Sequence, residues 1–146
     1  MAYTSVSAIQ DEFKGVTYSA TSTPTSDQVT EFITQEEAKL NARVSKRYTV
    51  PVTAGTGAVA IMKSLATLLV KARIIDRNAV KTGDADTEQG LPGDPFRKQV
   101  DDLIGGIVDG SLNLDGATSA ETGAGVADYN SVNDVTPTFE RNTTQW

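Results

Sequence analysis

The residues with the clearest chemical pattern form a glycine-rich run that could bind phosphate. The pattern G-x-G-x-x-G/A, typical of dinucleotide-binding folds, is matched by residues 55–60, GTGAVA. The run follows strand-like residues 48–52, and Asp76 lies about 20 residues further on, where a ribose-binding acid would stand. A dinucleotide fold needs several parallel strands, whereas this chain offers one short candidate with Pro51 in its middle. We therefore expect a loop leading into a helix, and no nucleotide site.

A second pattern resembles the start of a calcium-binding loop. Asp84, Asp86 and Glu88 alternate as calcium ligands do in such loops. However, Gln89 stands where the loop requires glycine, and Pro95 stands where the closing glutamate belongs. The sequence therefore predicts no dedicated metal site.

Paired carboxylates are the remaining catalytic candidates. Glu36-Glu37 and Asp101-Asp102 are adjacent in helical segments, where neighbouring side chains point about 100° apart. Neither pair can therefore converge on one substrate atom. The chain also has no histidine and no cysteine, which removes the commonest general base, thiol nucleophiles and disulfides. We expect a protein that is not an enzyme and has no cofactor.

Charge is segregated along the 146 residues of the chain. Residues 39–81 hold nine basic side chains and one acid, whereas residues 1–38, 82–109 and 110–146 are each predominantly acidic. Opposed blocks can pair within one subunit or between subunits of a ring, where they fix register more than affinity. Charged, solvated helix faces would give the same pattern.

The basic block includes one cationic helix face. Lys39, Arg43, Lys46 and Arg47 recur at helical spacing. Such a face could contact nucleic-acid phosphates, although only Tyr48 is near enough to stack on a base. The isoelectric point of about 4.6 argues against a free-standing DNA-binding protein. Pairing with acidic segments of an adjacent subunit is favoured, and a surface facing DNA inside an assembly stays open.

The elements that must position these residues are helices. Apolar spacing predicts an all-α fold, a four-helix bundle with helices over about residues 5–13, 26–47, 57–80 and 95–109. The third is apolar nearly all round, which is typical of a buried central helix. Its length of roughly 35 Å predicts that its far end meets a neighbouring subunit.

Sequence signals also mark the helix ends. Ser5 is the expected N-cap of the first helix, and Thr25 or Ser26 is that of the second. Asp94 is the expected N-cap of the fourth helix, with Pro95 at its first position. Gly110 is a suitable residue to end the fourth helix. The pair Gly105-Gly106 inside that helix indicates a bend or the close approach of another backbone.

The remaining residues predict an extended C-terminal arm. We divide the chain into a helical domain, residues 1–110, and an arm, residues 111–146, whose small polar residues cannot bury enough surface to fold alone. Three apolar anchors return near its end, Val135, Phe139 and Trp146, as expected of an arm that folds on a partner. No run reaches the roughly 20 apolar residues of a membrane helix, and the N-terminal residues do not resemble a signal peptide.

The order of these elements resembles the head–tail connector proteins (adaptor or head-completion proteins) of tailed bacteriophages, including the Mu-like group. The resemblance covers residues 3–114. It is carried by YTSVSAI in the opening helix, by LNARVSKRYTVPV with its Arg-Tyr-x-x-Pro turn, by residues 58–72 of the long apolar helix, and by FRKQVDDLIGGIVDG before a Leu-x-Leu segment.

The resemblance implies a structural virion protein, assembled in the host cytoplasm and located at the head–tail junction. Its subunits would form a ring, a dodecamer in the usual case, between the portal protein and the neck or tail-terminator protein. DNA would pass through the channel without sequence specificity. The arm would dock on the portal or on adjacent subunits through Val135, Phe139 and Trp146. The alternative is a small helical nucleic-acid-associated regulatory protein.

Overall fold

The fold is all-α. The computed structural model describes residues 2–82 and 90–120, which form helices α1 (Val6–Glu12), α2 (Ser26–Val44), α3 (Thr56–Thr82) and α4 (Asp94–Asp109). This confirms the predicted fold class. Among the described residues, the strand-like stretch 48–52 makes only one isolated β-bridge, between Tyr48 and Ser119, and belongs to no sheet.

The first two helices begin at the side chains that the sequence indicates. The Ser5 hydroxyl accepts a hydrogen bond from the Ala8 amide and caps α1. Thr25 caps α2 in a reciprocal capping box with Gln28. Helix α2 ends at Val44, earlier than the predicted end near residue 47. The following residues form a turn, in which the amides of Arg47 and Tyr48 donate to the carbonyl oxygen of Val44.

Helix α4 begins one residue earlier than predicted. Its N-cap is Gly93, and Asp94 is the first helical residue. The Asp94 carboxylate instead accepts the backbone N–H of Leu91, at 2.9 Å, and so stabilises the turn before the helix. At the other end, Gly110 adopts φ 94°, as expected for a glycine that ends a helix.

The long helix α3 is central and packs against all three other helices. A first core cluster joins the N-terminal half of α3 to α4 and to the C-terminal half of α2; among its members are Leu40, Val44, Met62, Leu65, Val100, Ile104 and Ile107. A second cluster joins the C-terminal half of α3 to α1 and to the start of α2; its buried members are Ile9, Tyr18, Val29, Phe32, Ile33, Val70 and Ile74. Helices α2 and α3 are therefore antiparallel.

Residues 111–120, which we call the arm base, pack on the bundle. Leu114 is 2% exposed within the first core cluster. Gly116 lies against Gly55 so closely that a β-carbon on either residue would overlap the backbone of the other segment. Burial of Leu114 and the hydrogen bond from the Ala120 amide to Arg47 therefore continue the packing against the bundle beyond residue 110, the predicted end of the helical domain. The anchors of the arm, Val135, Phe139 and Trp146, lie outside the described residues.

Candidate functional site

The cationic face, defined as Lys39, Arg43, Lys46 and Arg47, is largely engaged within the chain. Lys39 and Arg43 lie on α2, whereas Lys46 and Arg47 lie in the turn after it, because α2 ends at Val44. Lys39 pairs with Glu36 one turn earlier, at 2.8 Å. Arg43 crosses to α4 and forms an ion pair with Asp101. The Arg43–Asp101 pair therefore helps to hold α2 against α4, whereas the Lys39–Glu36 pair lies within α2.

Arg47 joins the turn after α2 to the end of α4 and to the arm base. Its guanidinium donates to the carbonyl oxygen of Ile107, at 3.0 Å, and to the side chain of Asn113, at 2.7 Å. It also lies against Gly110, where any β-carbon would overlap it. Arg47 therefore positions the chain as it leaves the bundle.

Lys46 differs from the rest of the cationic face. Its side chain is exposed and makes no ion pair with the described residues 2–82 and 90–120. Lys46 is therefore the member of the face whose charge is least engaged by the described residues.

Backbone hydrogen bonds hold the arm base in register with the turn after α2. The Thr49 amide donates to the carbonyl oxygen of Thr118, at 2.8 Å, and the Ala120 amide donates to that of Arg47, at 2.9 Å. The Tyr48 hydroxyl accepts the buried N–H of Leu114, at 3.1 Å. The arm therefore leaves the bundle from a fixed point beside the end of α2.

We expect Tyr48→Phe to lower the free energy of unfolding by about 1–3 kcal/mol, because the buried Leu114 amide loses its acceptor. Urea unfolding followed by circular dichroism measures this change. Tyr18→Phe is the matched control, since the Tyr18 ring is buried but its hydroxyl makes no hydrogen bond within the described residues. Equal stability of the two variants would contradict a structural role for the Tyr48 hydroxyl.

Two buried carboxylates on α2 were not foreseen as core residues. The sequence shows Glu36 and Glu37 only as a break in the apolar stripe, yet each is 7% exposed. Glu36 binds Arg73 of α3 at 3.0 Å, and Glu37 accepts the backbone N–H groups of Tyr3 and Thr4 at 2.6 and 3.0 Å. The two carboxylates thus face different partners, as the helical spacing predicts.

Tyr3 connects the start of the chain to two distant segments. Its hydroxyl donates to Asn41, at 2.7 Å, and accepts the buried N–H of Val52, at 2.8 Å. Burial raises the pKa of Tyr3, the Val52 hydrogen bond opposes the rise, and the charge of Glu37 adds to it, so that the pKa lies above its ordinary value. The hydroxyl therefore stays protonated at neutral pH and keeps its donor role.

The glycine-rich run forms the predicted loop into a helix. Gly55 has φ 79°, and the backbone of Asp115 and Gly116 occupies the space next to it. Asp76, at the position that resembled a ribose-binding acid, is buried; it accepts the N–H of Gly93 and pairs with Arg97. The glycine-rich run and Asp76 therefore both make contacts that stabilise the fold of this chain.

A groove of about 460 Å³ lies between α2 and α4. Leu40, Leu69 and Ile104 form its apolar floor. Charged side chains surround it: Lys39, Arg43, Arg97, Glu36 and Asp101. This is a concave surface with both apolar and cationic character, suited to binding a side chain or a peptide segment.

No family model, curated protein or solved structure that we compared with the chain matches it. Within residues 2–82 and 90–120, no cluster of acidic side chains could hold a metal ion. None of the described helices is long and apolar enough to span a membrane.

Proposed function

We propose that this chain is a structural subunit of a virion head–tail connector, a non-enzymatic protein that forms a ring between the portal and the neck or tail proteins. The bundle makes the wall of the ring, and DNA passes through its channel. The arm attaches each subunit to the portal or to a neighbouring subunit. The sequence resemblance over residues 3–114 supports this assignment.

The observation that carries the proposal is the fixed origin of the arm. Tyr48 and Arg47 hold the arm base on the bundle through hydrogen bonds to Leu114, Asn113 and Ala120. The 26 residues that follow contain the apolar anchors and start from one defined place on the subunit surface. A segment of this length that starts at a fixed place can reach a neighbouring protein in the same way from every subunit of a ring.

Charge distribution supports contacts between subunits. A ring needs heterologous contacts, in which two different surfaces of the same subunit meet. The exposed lysines Lys46 and Lys63 lie on the basic segment, whereas the other segments of the chain are acidic. Such surfaces increase the rate of association and fix its register.

The contacts of the cationic face weigh against the nucleic-acid regulator. Arg43 and Arg47 are bound to α4 and to the arm base, so they contribute less free charge to phosphate binding. A regulator would bind free duplex DNA as an isolated chain, with an affinity that falls steeply with salt. For a connector we expect no such binding and a ring when the chain is mixed with its portal, as negative-stain images would show.

Replacing Val135, Phe139 and Trp146 together by alanine should abolish attachment to portal-bearing heads, because the arm loses its apolar contacts. Attachment is measured by co-sedimentation with the heads. The matched control replaces Thr136, Thr138 and Thr143 by alanine, which keeps the length and the charge of the arm. Unchanged attachment of the first variant, with its helical circular dichroism intact, would overturn the assignment of the arm.

A further inference from the structure

The groove between α2 and α4 has the composition of a site for an aromatic side chain. Its floor is aliphatic. The basic side chains of Lys39, Arg43 and Arg97 surround it, together with the acidic side chains of Glu36 and Asp101. An aromatic ring in such a groove gains from apolar burial and from the attraction of cations to its face.

The bundle already uses pairings of this kind. Arg73 lies 4.3 Å from the centre of the Phe32 ring, and Lys71 lies 5.4 Å from that of Phe96. These contacts join helices through a cation and a ring. The groove offers cations of the same kind, and among the described residues no ring lies within it.

The arm of the same chain supplies a matching segment. Residues 121–146 contain four acids and one base, and include Phe139 and Trp146. The groove has three basic side chains and two acids, so its net charge is opposite in sign to that of the arm as a whole. The docking segment itself, residues 139–146, contributes its two aromatic rings, one acid and one base. Trp146 offers the largest ring and the strongest attraction to cations.

The starting point of the arm places this segment near the groove. The Ala120 amide donates a hydrogen bond to the carbonyl oxygen of Arg47. Arg47 lies in the turn after α2, four positions after Arg43 and eight after Lys39 in the chain. A chain of 26 residues has an average end-to-end distance of roughly 28 Å when it behaves as a flexible coil. A tether of this length gives a high effective concentration at the groove, which favours the chain's own arm over that of another copy.

We propose that, in the free subunit, residues 139–146 dock on the same subunit with the indole of Trp146 in the groove between α2 and α4. This docking occurs before assembly and does not depend on the proposed attachment to a portal. It would keep the apolar anchors away from solvent, and a partner surface would compete with the groove for them.

Trp146 is the single tryptophan of the chain, so its fluorescence reports the docking directly. We expect the full-length protein to show blue-shifted emission and several-fold weaker acrylamide quenching than a synthetic peptide of residues 135–146. Both values should be independent of protein concentration, since the contact is within one chain. Emission equal to that of the peptide, or a blue shift that appears only at high concentration, would overturn the proposal.

Filling the groove gives the decisive variant. Ala42 is exposed and lines the groove, so Ala42→Phe should shift the emission to that of the peptide. Ala38→Phe is the matched control, because Ala38 is an exposed alanine of α2 outside the groove. Unchanged emission in the folded Ala42→Phe variant would refute docking at this groove.

A second pair of variants tests the groove without adding bulk. Lys39→Glu reverses an exposed charge in the groove, and Lys46→Glu makes the same change outside it. We expect Lys39→Glu to increase the quenching of Trp146 and Lys46→Glu to leave it unchanged. Equal quenching in the two variants would contradict the assigned place of the indole.

Discussion

Replacing Asp76 by alanine is expected to lower the free energy of unfolding by about 2–4 kcal/mol, the range for removing one partner of a largely buried ion pair. Asp76 lies on α3, and its side chain is 9% exposed. One carboxylate oxygen accepts the buried N–H of Gly93, and the other pairs with Arg97. The alanine variant would leave both donors without this acceptor.

The charge of Arg97 makes the loss larger. Partial burial lowers the pKa of Arg97, but hydrogen bonds and charges from Asp76 and Asp94 outweigh this and hold the pKa above its ordinary value. Arg97 is therefore charged at every pH at which the protein folds. Without Asp76, its remaining partner is the carboxylate of Asp94, at 3.0 Å.

Two further substitutions separate the contributions of Asp76. Asp76→Asn keeps an oxygen for the Gly93 amide and removes the charge, so we expect a smaller loss of stability than in the alanine variant. Asp94→Asn is the control for an exposed ion pair, for which we expect a change of about 1 kcal/mol or less. Urea is the suitable denaturant, because guanidinium is itself a salt and would screen these charges. Equal midpoints for Asp76→Ala and Asp94→Asn would contradict the importance of the buried pair.

The helices of this fold follow from the sequence because their signals are local. Apolar spacing and the caps Ser5 and Thr25 lie within one or two turns of the elements that they define. The observed start of α4 lies one residue before the predicted start. The amide of Gly93, the observed N-cap, is bound by Asp76, which is 17 positions away in the chain. A local pattern cannot include this partner.

The buried polar groups depend on distant contacts and are therefore harder to predict. In the sequence, Glu36 and Glu37 interrupt an apolar stripe. In the fold they lie on the buried side of α2, because Arg73 and the amides of Tyr3 and Thr4 bind them there. In the sequence, the only sign that these glutamates are buried is their position as a pair on the apolar face of a helix. Such a pair indicates a buried ion pair only when the basic partner is known.

The contacts of the arm base also depend on residues that are distant in the sequence. Its small polar residues predict an extended segment, and the Leu-x-Leu motif was the only apolar signal in it. The partners of the arm base, Tyr48 and Arg47, lie more than sixty residues earlier in the chain, and they bind it through a hydroxyl and a guanidinium. Of the cationic face, Lys39 and Arg43 lie on α2, whereas Lys46 and Arg47 lie in the turn after it, and the intrachain contacts of Arg47 cannot be derived from the spacing of these residues.

The second large effect is expected for Leu65→Ala in the middle of α3. Leu65 is 1% exposed and belongs to the first core cluster, where α3 meets α2 and α4. Truncation removes buried apolar surface and leaves a cavity that the surrounding helices fill only in part, so we expect a loss of about 2–5 kcal/mol. A decrease in the urea midpoint with an unchanged slope would show that stability alone has changed.

Leu103→Ala is the matched control for this substitution. Leu103 is also a leucine inside a helix, so both variants change helix propensity equally. Its side chain is 37% exposed, however, and truncation there should cost less than about 1 kcal/mol, since little surface returns to water. Because the two substitutions are chemically identical, a difference in stability between them measures the packing around α3. Equal losses would mean that α3 is not the central helix of the folded chain.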